Sequence, residues 1–402
     1  MRLAAYVAAV VLLADMMALA APVQITFNDY DDDSPQVSGA NVVWHGDVLG
    51  TGKGDTFFWN GSTATRVTTT SGDVSNWHQQ ISGSIAVWDR KDWSVTTPTQ
   101  AEIFQYNRNT GVTIQLTTGS AYDNWRPQVS GSNVAWHGEV PFDWEVFLYT
   151  GTLPATQIIN TGISDSQARI DGSNVVWQGA VSPTNEEIFH YNTNTTTLTR
   201  ITNSALILDQ LPQVSGSTVV WTADDGAGTD ILLYDINGGT TVAITSNSFN
   251  DQNPQISGTN VVWQRWNPID SEYEIFHYDV GTGATTQLTN NDYSDYSPQV
   301  NGSNVVWYAD VDEDANYDIF LYKTDLGTTF RLTNNSRPDW MPQVSGMNVV
   351  WSGMDPIGND YEIFTYDVSD LNVIPEPATL MLLFLGGLLL LARRGYRRVR
   401  GS

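Results

Sequence analysis

Three groups of side chains in this chain have the types and spacing to do chemistry. The first is acidic. Asp310, Asp312, Asp314, Asn316 and Asp318 alternate along one loop, and Asp29, Asp31, Asp32 and Asp33 cluster near the N-terminus. Hard oxygen donors at alternate positions suit calcium. The 310–318 run departs from an EF-hand, with Ala315 where that loop needs glycine and Leu321 where it needs glutamate. It reads equally as a solvated acidic turn. The second group is aromatic: Trp77, Trp125, Tyr296 and Trp340 each directly follow an Asp or Asn. Rings beside carboxylates are expected to stack on sugars, or simply to cover strand ends. The third is the five histidines, His45, His78, His137, His190 and His277. His45 shares a repeat position with His137, and His190 with His277, but neither pair falls in adjacent repeats. No converging histidine metal site is expected, and no catalytic residue is assigned. There is no Ser-His-Asp arrangement, no Gly-x-Ser-x-Gly and no phosphate loop.

What must position these groups is a frame that recurs eight times. Trp44, Trp88, Trp136, Trp177, Trp221, Trp263, Trp307 and Trp351 lie 41 to 48 residues apart. Five residues before each stands a glycine, from Gly39 to Gly346. Eight before stands Gln36, Gln80, Gln128, Gln213, Gln255, Gln299 or Gln343, with Arg169 as the exception. Twelve before stands an Asx: Asp32, Asn76, Asn124, Asp165, Asp209, Asp251, Asp295 or Asp339. Insertions fall only between frames. Short apolar runs at this period predict a radial array of four-stranded units. In residues 295–333 the four strands are read at Pro298–Val300, Val305–Trp307, Tyr317–Tyr322 and Thr328–Thr333. The fold class is therefore all-β, a β-propeller. The Trp side chains are expected between blades, the Gln ring along the channel, and the Asx residues as acceptors for backbone N–H groups at each blade entry. The position after the Asx varies on this fixed frame, reading Asp33, Trp77, Trp125, Ser166, Gln210, Gln252, Tyr296 and Trp340, which is where binding specificity is expected.

The ends of the array suggest closure. The eighth repeat lacks a fourth strand after Tyr361–Tyr366, whereas Gln24–Tyr30 aligns without a gap to Gln287–Tyr293 of an earlier repeat. The N-terminus is thus expected to complete the last of eight blades and remove an open sheet edge. Seven blades plus an irregular unit is the alternative.

Charge and cysteine usage narrow the partners. Twelve basic and 42 acidic residues fall in the array, a net charge of −30. Such a field repels nucleic acid and favours divalent cations or a basic surface protein as partners, besides keeping the chain soluble. The absence of cysteine excludes disulfides and thiolate metal sites.

Both termini carry addresses. Residues 1–20 read as a signal peptide, with Arg2, an apolar run Leu3–Ala14 and Ala18-Leu19-Ala20 before the cut. The propeller is placed at 21–370. A linker, 371–377, contains Pro375-Glu376-Pro377. An almost wholly apolar segment, 378–392, is expected to cross the membrane, and the basic tail 393–402 to stay cytoplasmic. At about 1.5 Å per residue the segment is roughly 22 Å long, short for a span.

Pro375-Glu376-Pro377, Ala378-Thr379-Leu380, the apolar span and the arginine cluster together resemble the PEP-CTERM sorting signal of exported bacterial proteins. That resemblance implies recognition by an exosortase, release from an inner-membrane-anchored precursor to the outer surface or extracellular matrix, and association with exopolysaccharide. The repeats resemble the TolB-like propeller family. The matching elements are Leu332-Thr333-Asn334-Asn335, Pro342-Gln343, Gly346, Val349-Val350-Trp351 and Glu362-Ile363-Phe364. The usual first-turn Ser-Pro-Asp-Gly is replaced, and the N-terminal α/β domain of TolB itself is absent. The functional expectation is a non-enzymatic surface binding or matrix module. The alternative is a carbohydrate-active enzyme, a lyase or hydrolase, since some polysaccharide lyases use TolB-like propellers with a histidine-bound metal.

Overall fold

Each blade grows outward from its Asx residue. The computed structural model describes residues 21–69, 73–93, 100–117, 122–141, 143–160, 162–182, 184–204, 208–311 and 316–372. The array lies in one compact unit, Ala20–Tyr366. Of a second unit only Asp367–Asn372 is described, with a 3-10 helix at Val368–Asn372. The signal peptide and residues 373–402, including Pro375, Glu376, Pro377 and the apolar segment, lie outside the described residues. Among the described residues no helix is long and apolar enough to cross a membrane.

Blades are numbered 1 to 8 by their frame Trp. Blade 7 consists of strands Asp295–Asn301, Asn304–Ala309, Asp318–Lys323 and Thr328–Arg331, each antiparallel to the next. Blades 1 to 6 repeat this order; a single parallel pair, Thr229 with Asn250, also links blades 5 and 6. Blade 8 takes three strands from the C-terminal end, Asp339–Ser345, Asn348–Met354 and Tyr361–Asp367. Its fourth is Val23–Gln24, with Val23 opposite Thr365 and Gln24 opposite Phe364. Just beyond that strand, the Ile25 N–H donates to the Ile363 carbonyl (2.9 Å) and the Ile363 N–H to the Thr26 hydroxyl (2.8 Å). The N-terminus closes the eighth blade, as the repeat alignment predicts.

The first strands of successive blades pack side by side in a complete circuit, blade 8 against blade 1 included. A ring of hydrogen bonds follows the same circuit. The backbone N–H of each frame glycine donates to the side chain that precedes the glycine in the previous blade. Gly83 reaches Ser38, Gly131 Ser82, Gly172 Ser130, Gly216 Asp171, Gly258 Ser215, Gly302 Ser257 and Gly346 Asn301, all at 2.7–3.1 Å. Gly39 reaches Ser345 at 2.9 Å and completes the circle. These glycines hold φ of 56–60°, a conformation a residue without Cβ adopts at no steric cost. Eight such links leave no place for a seven-bladed ring.

The core lies between blades. The frame Trp side chains are at most 1 % exposed, and seven of them, all but Trp351, pack in clusters with apolar side chains of the preceding blade. All but Trp221 also stack on a phenylalanine of the third strand, as Trp307 does on Phe320 at 5.8 Å. Burying one such ring contributes about 1.5–3 kcal/mol, so the eight-fold repetition supplies most of the packing.

Candidate functional site

The rim facing the blade entries is shaped by a bulge that every blade shares. In blade 7 Tyr296 pairs with Tyr308 and Gln299 with Val306, so two residues of the first strand oppose one of the second. The residue after the variable position carries the bend. Ser34, His78, Arg126, Gln167, Leu211, Asn253, Ser297 and Met341 all hold φ of 50–55°. Without the bulge Asp295 would stand opposite Asp310 and point away from the Trp face; with it, Asp295 pairs with Ala309 and shares a face with Trp307.

This corrects the expected role of the Asx ring. Its side chain chiefly accepts the indole N–H of the Trp twelve residues on, rather than backbone N–H groups. Seven of the eight pairs do so at 2.6–2.9 Å. Blade 2 is the exception: neither the Trp88 indole nitrogen nor Asn76 Oδ1 has a hydrogen-bond partner among the described residues. In several blades a glycine makes room. At Gly138 an added Cβ would lie 2.6 Å from Asn124 Oδ1 and 2.8 Å from the Phe147 ring. Burial drives the carboxyls upward, Asp32 to about 8, Asp295 to about 7, and Asp209 and Asp339 to about 6.

The register sets the start of each first strand beside the loop between second and third strands: Asp295 pairs with Ala309, and Ala309 with Asp318. Trp77, Trp125, Tyr296 and Trp340 therefore share one rim. None stands alone. Trp77 stacks on His45 of blade 1 (5.1 Å), and Trp340 on Tyr361 (5.0 Å). Tyr296 joins Tyr273, Tyr308 and Tyr317 at 5.6–6.3 Å.

Trp125 lines a cavity of about 480 Å³ with His78, Arg126, His137, Trp144 and the Ser164–Gln167 entry of blade 4. His78 Nδ1 sits 2.7 Å from Oδ1 of Asp89, which is wholly buried. The same oxygen accepts the Arg126 N–H at 3.0 Å. Burial pushes the Asp89 carboxyl up, against His78 and Arg126, which pull it down. His137 is held down to about 3 by burial, then by Arg126, His78 and Arg169, so its imidazole is neutral. Arg169, the exception in the Gln ring, adds its positive charge to the field on His137. In a strongly acidic array, these basic and aromatic side chains converge at one spot. Sequence reasoning kept His78 and His137 apart because they occupy different repeat positions. The bulge turns one and the pleat the other into a common cavity. His190 and His277 are structural, each bonded to an asparagine of the second strand, Asn174 and Asn260.

Of the 310–318 loop, Asp312 and Asp314 lie outside the described residues, and Asp310 and Asn316 flank that gap. Asp318 is buried and engaged: it pairs with Arg331, and Oδ1 accepts the Thr333 hydroxyl at 3.0 Å. Among the described residues, the metal-binding geometry falls elsewhere, at Asp355, Asp360 and Glu362.

Comparison with known proteins identifies the tail and the fold. Residues 373–398 match the PEP-CTERM protein-sorting motif. The motif marks an exported chain addressed to an exosortase through a membrane-anchored precursor. No curated protein sequence matches the chain. Among solved structures, a prolyl endopeptidase superposes with a TM-score of 0.59 at 10% identity over 82% of this chain. The chain spans 55% of that enzyme's length. The β-propeller domain of the Trilobed protease from Pyrococcus furiosus gives 0.54 at 11% identity, covering 77% of this chain and 99% of that one. Oligogalacturonate lyase from Vibrio parahaemolyticus gives 0.54 at 12%, covering 87% and 94%. These likenesses establish the propeller alone.

Proposed function

We propose that this PEP-CTERM chain is a non-enzymatic binding module, displayed on the cell surface or in the extracellular matrix, whose rim holds a polysaccharide. The cavity around Trp125 carries the reading. Two indoles, Trp125 and Trp144, offer flat apolar faces for sugar rings. Arg126 and the neutral His137 supply hydrogen bonds to hydroxyls and a charge for a carboxylated sugar. Trp77, Tyr296 and Trp340 extend the aromatic surface around the same rim, as a long polymer requires. A partly exposed ring in a contact network is a typical anchor, and truncating one costs about 2 kcal/mol or more, roughly 30-fold in affinity.

The test is a glycan-array screen with and without calcium, followed by titration of the best ligand into wild type and a Trp125→Ala/Trp340→Ala variant. Loss of binding with an unchanged melting temperature supports the proposal. Wild-type affinity in a folded variant overturns it. A second reading, a polysaccharide lyase or hydrolase, draws on the His78–Asp89 pair beside the same cavity. Product release from a bound glycan that disappears in His78→Ala would favour it. A basic surface protein as partner would instead show salt-sensitive binding without any glycan.

A further inference from the structure

The seam where the two ends of the propeller meet holds an unbalanced group of carboxylates. A cleft of about 920 Å³ opens there between the 28–31 segment, the 47–50 loop of blade 1 and the 355–360 loop of blade 8. Asp355, Asp360 and Glu362 each offer an oxygen within 4.8 Å of the others.

Two observations single out this cluster from the other acidic loops. Glu362 is wholly buried; Oε1 accepts the Asn28 N–H at 2.8 Å, and Oε2 has no hydrogen-bond partner among the described residues. Both carboxylate oxygens of Asp360 are buried, and neither meets a donor from another described residue. A cation that three other blades supply is also missing. In blades 1, 4 and 7 an arginine on the fourth strand (Arg66, Arg200, Arg331) pairs with a buried carboxylate near the start of the third. Gln24 takes that place in blade 8, opposite Phe364 as Arg331 is opposite Phe320. Blades 2, 3 and 6 also carry glutamine there, but among the described residues only blade 8 gathers three carboxylates. The nearby Arg337 is directed to the Asp355 and Pro356 carbonyls instead (2.7 and 3.1 Å). Burial, with Asp355, Asp31 and Asp29 adding repulsion, pushes the Asp360 carboxyl up.

We propose that Asp355, Asp360 and Glu362 form a calcium site that clamps the N-terminal segment onto the last blade. All-oxygen donors without His or Cys exclude a zinc preference. Calcium takes oxygen ligands at about 2.3–2.6 Å, and three oxygens within 4.8 Å of one another can share one ion at that distance. Magnesium prefers a tighter octahedron, with most of its positions left to water. The site is linked to closure through direct bonds: Glu362 holds Asn28, and Asp31 Oδ1 accepts the Tyr361 N–H at 2.9 Å. A cation there removes repulsion between the two chain ends at the point where the ring would open. The 310–318 loop and the glycan reading play no part in this inference.

The experiment is calorimetric titration of calcium chloride into the EDTA-stripped full-length chain, with melting curves alongside. Wild type should bind one seam equivalent, and at ten-fold saturation melt about 2 °C higher. Asp360→Asn should lose both responses. In EDTA it should melt above wild type, because a buried repulsive charge is gone. Asp310→Asn should respond like wild type. Should Asp360→Asn fail to fold, Asp355→Asn, which keeps an acceptor for its loop N–H groups, must lose the calcium response. The proposal is overturned if wild type shows no binding at millimolar calcium, if a folded seam variant responds like wild type, or if only Asp310→Asn abolishes the response.

Discussion

Blade 2 offers an internal control for the energetics of the Asx–Trp pair. Trp307 and Trp88 are both 1 % exposed, and both stack on a third-strand phenylalanine, at 5.8 and 5.9 Å. Trp307 also donates to Asp295 at 2.6 Å, whereas the Trp88 indole nitrogen has no acceptor among the described residues. Replacing either Trp by Phe removes similar volume, at a cost of roughly 1–3 kcal/mol. Only Trp307→Phe strips a donor from a buried acid. A hydrogen bond to a charged group contributes about 1.5–3 kcal/mol, and Asp295 would be left with Asn291 Nδ2, at 2.9 Å, and Thr289. Trp307→Phe should therefore exceed Trp88→Phe by about 1.5–3 kcal/mol. The excess should be larger at pH 8.5 than at pH 5.5, because Asp295 ionises at about 7. Urea denaturation followed by far-ultraviolet circular dichroism measures both. Equal costs for the two variants, or an excess independent of pH, would refute the assignment of the Asx ring as indole acceptor.

Three further outcomes are expected. Deleting residues 21–27 removes the fourth strand of blade 8 and should cause aggregation or a large drop in melting temperature; an unchanged melting temperature would sink the closed ring. Asp32 and Asp295 have folded pKa values raised to about 8 and about 7, so the folded state holds protons that the unfolded state has lost. Stability should fall as pH rises from 6.5 to 8.5, above the range in which the depressed histidines His137, His190 and His277 oppose the trend, and Asp295→Asn should flatten the slope measured by melting in EDTA. Replacing Pro375-Glu376-Pro377 by alanines should leave the precursor in the inner membrane with its tail attached, as judged by fractionation and mass; normal processing would reduce the tail to a plain anchor.

The architecture was legible because its determinants are spacings. Trp, Gly, Gln and Asx keep their offsets in all eight repeats apart from Arg169, and the gap-free match of Gln24–Tyr30 to Gln287–Tyr293 disclosed the shared blade. The glycine ring was equally present in the sequence, since a serine, aspartate or asparagine precedes every frame glycine, but its meaning required knowing which blade each acceptor faces.

What stayed hidden traces to one backbone feature. Left-handed φ is normally signalled by glycine or asparagine, yet the bulge is built on Ser34, His78, Arg126, Gln167, Leu211, Asn253, Ser297 and Met341, of which only Asn253 fits that expectation. Counting strand parity from the sequence without the bulge places Asp295 on the face opposite Trp307 and makes their indole bond invisible. The same error separates His78 from Trp125 and His137, whose meeting defines the cavity. Eight strained residues at one frame position cost of order 1–3 kcal/mol each. They persist because in seven of the eight blades the bulge lets a buried Asx and Trp satisfy one another, and it turns the next side chain toward the rim. The variable residues of the rim are thus held by the same device that locks the core, so a rim substitution should leave the fold largely intact, whereas a change at the Asx should disturb it.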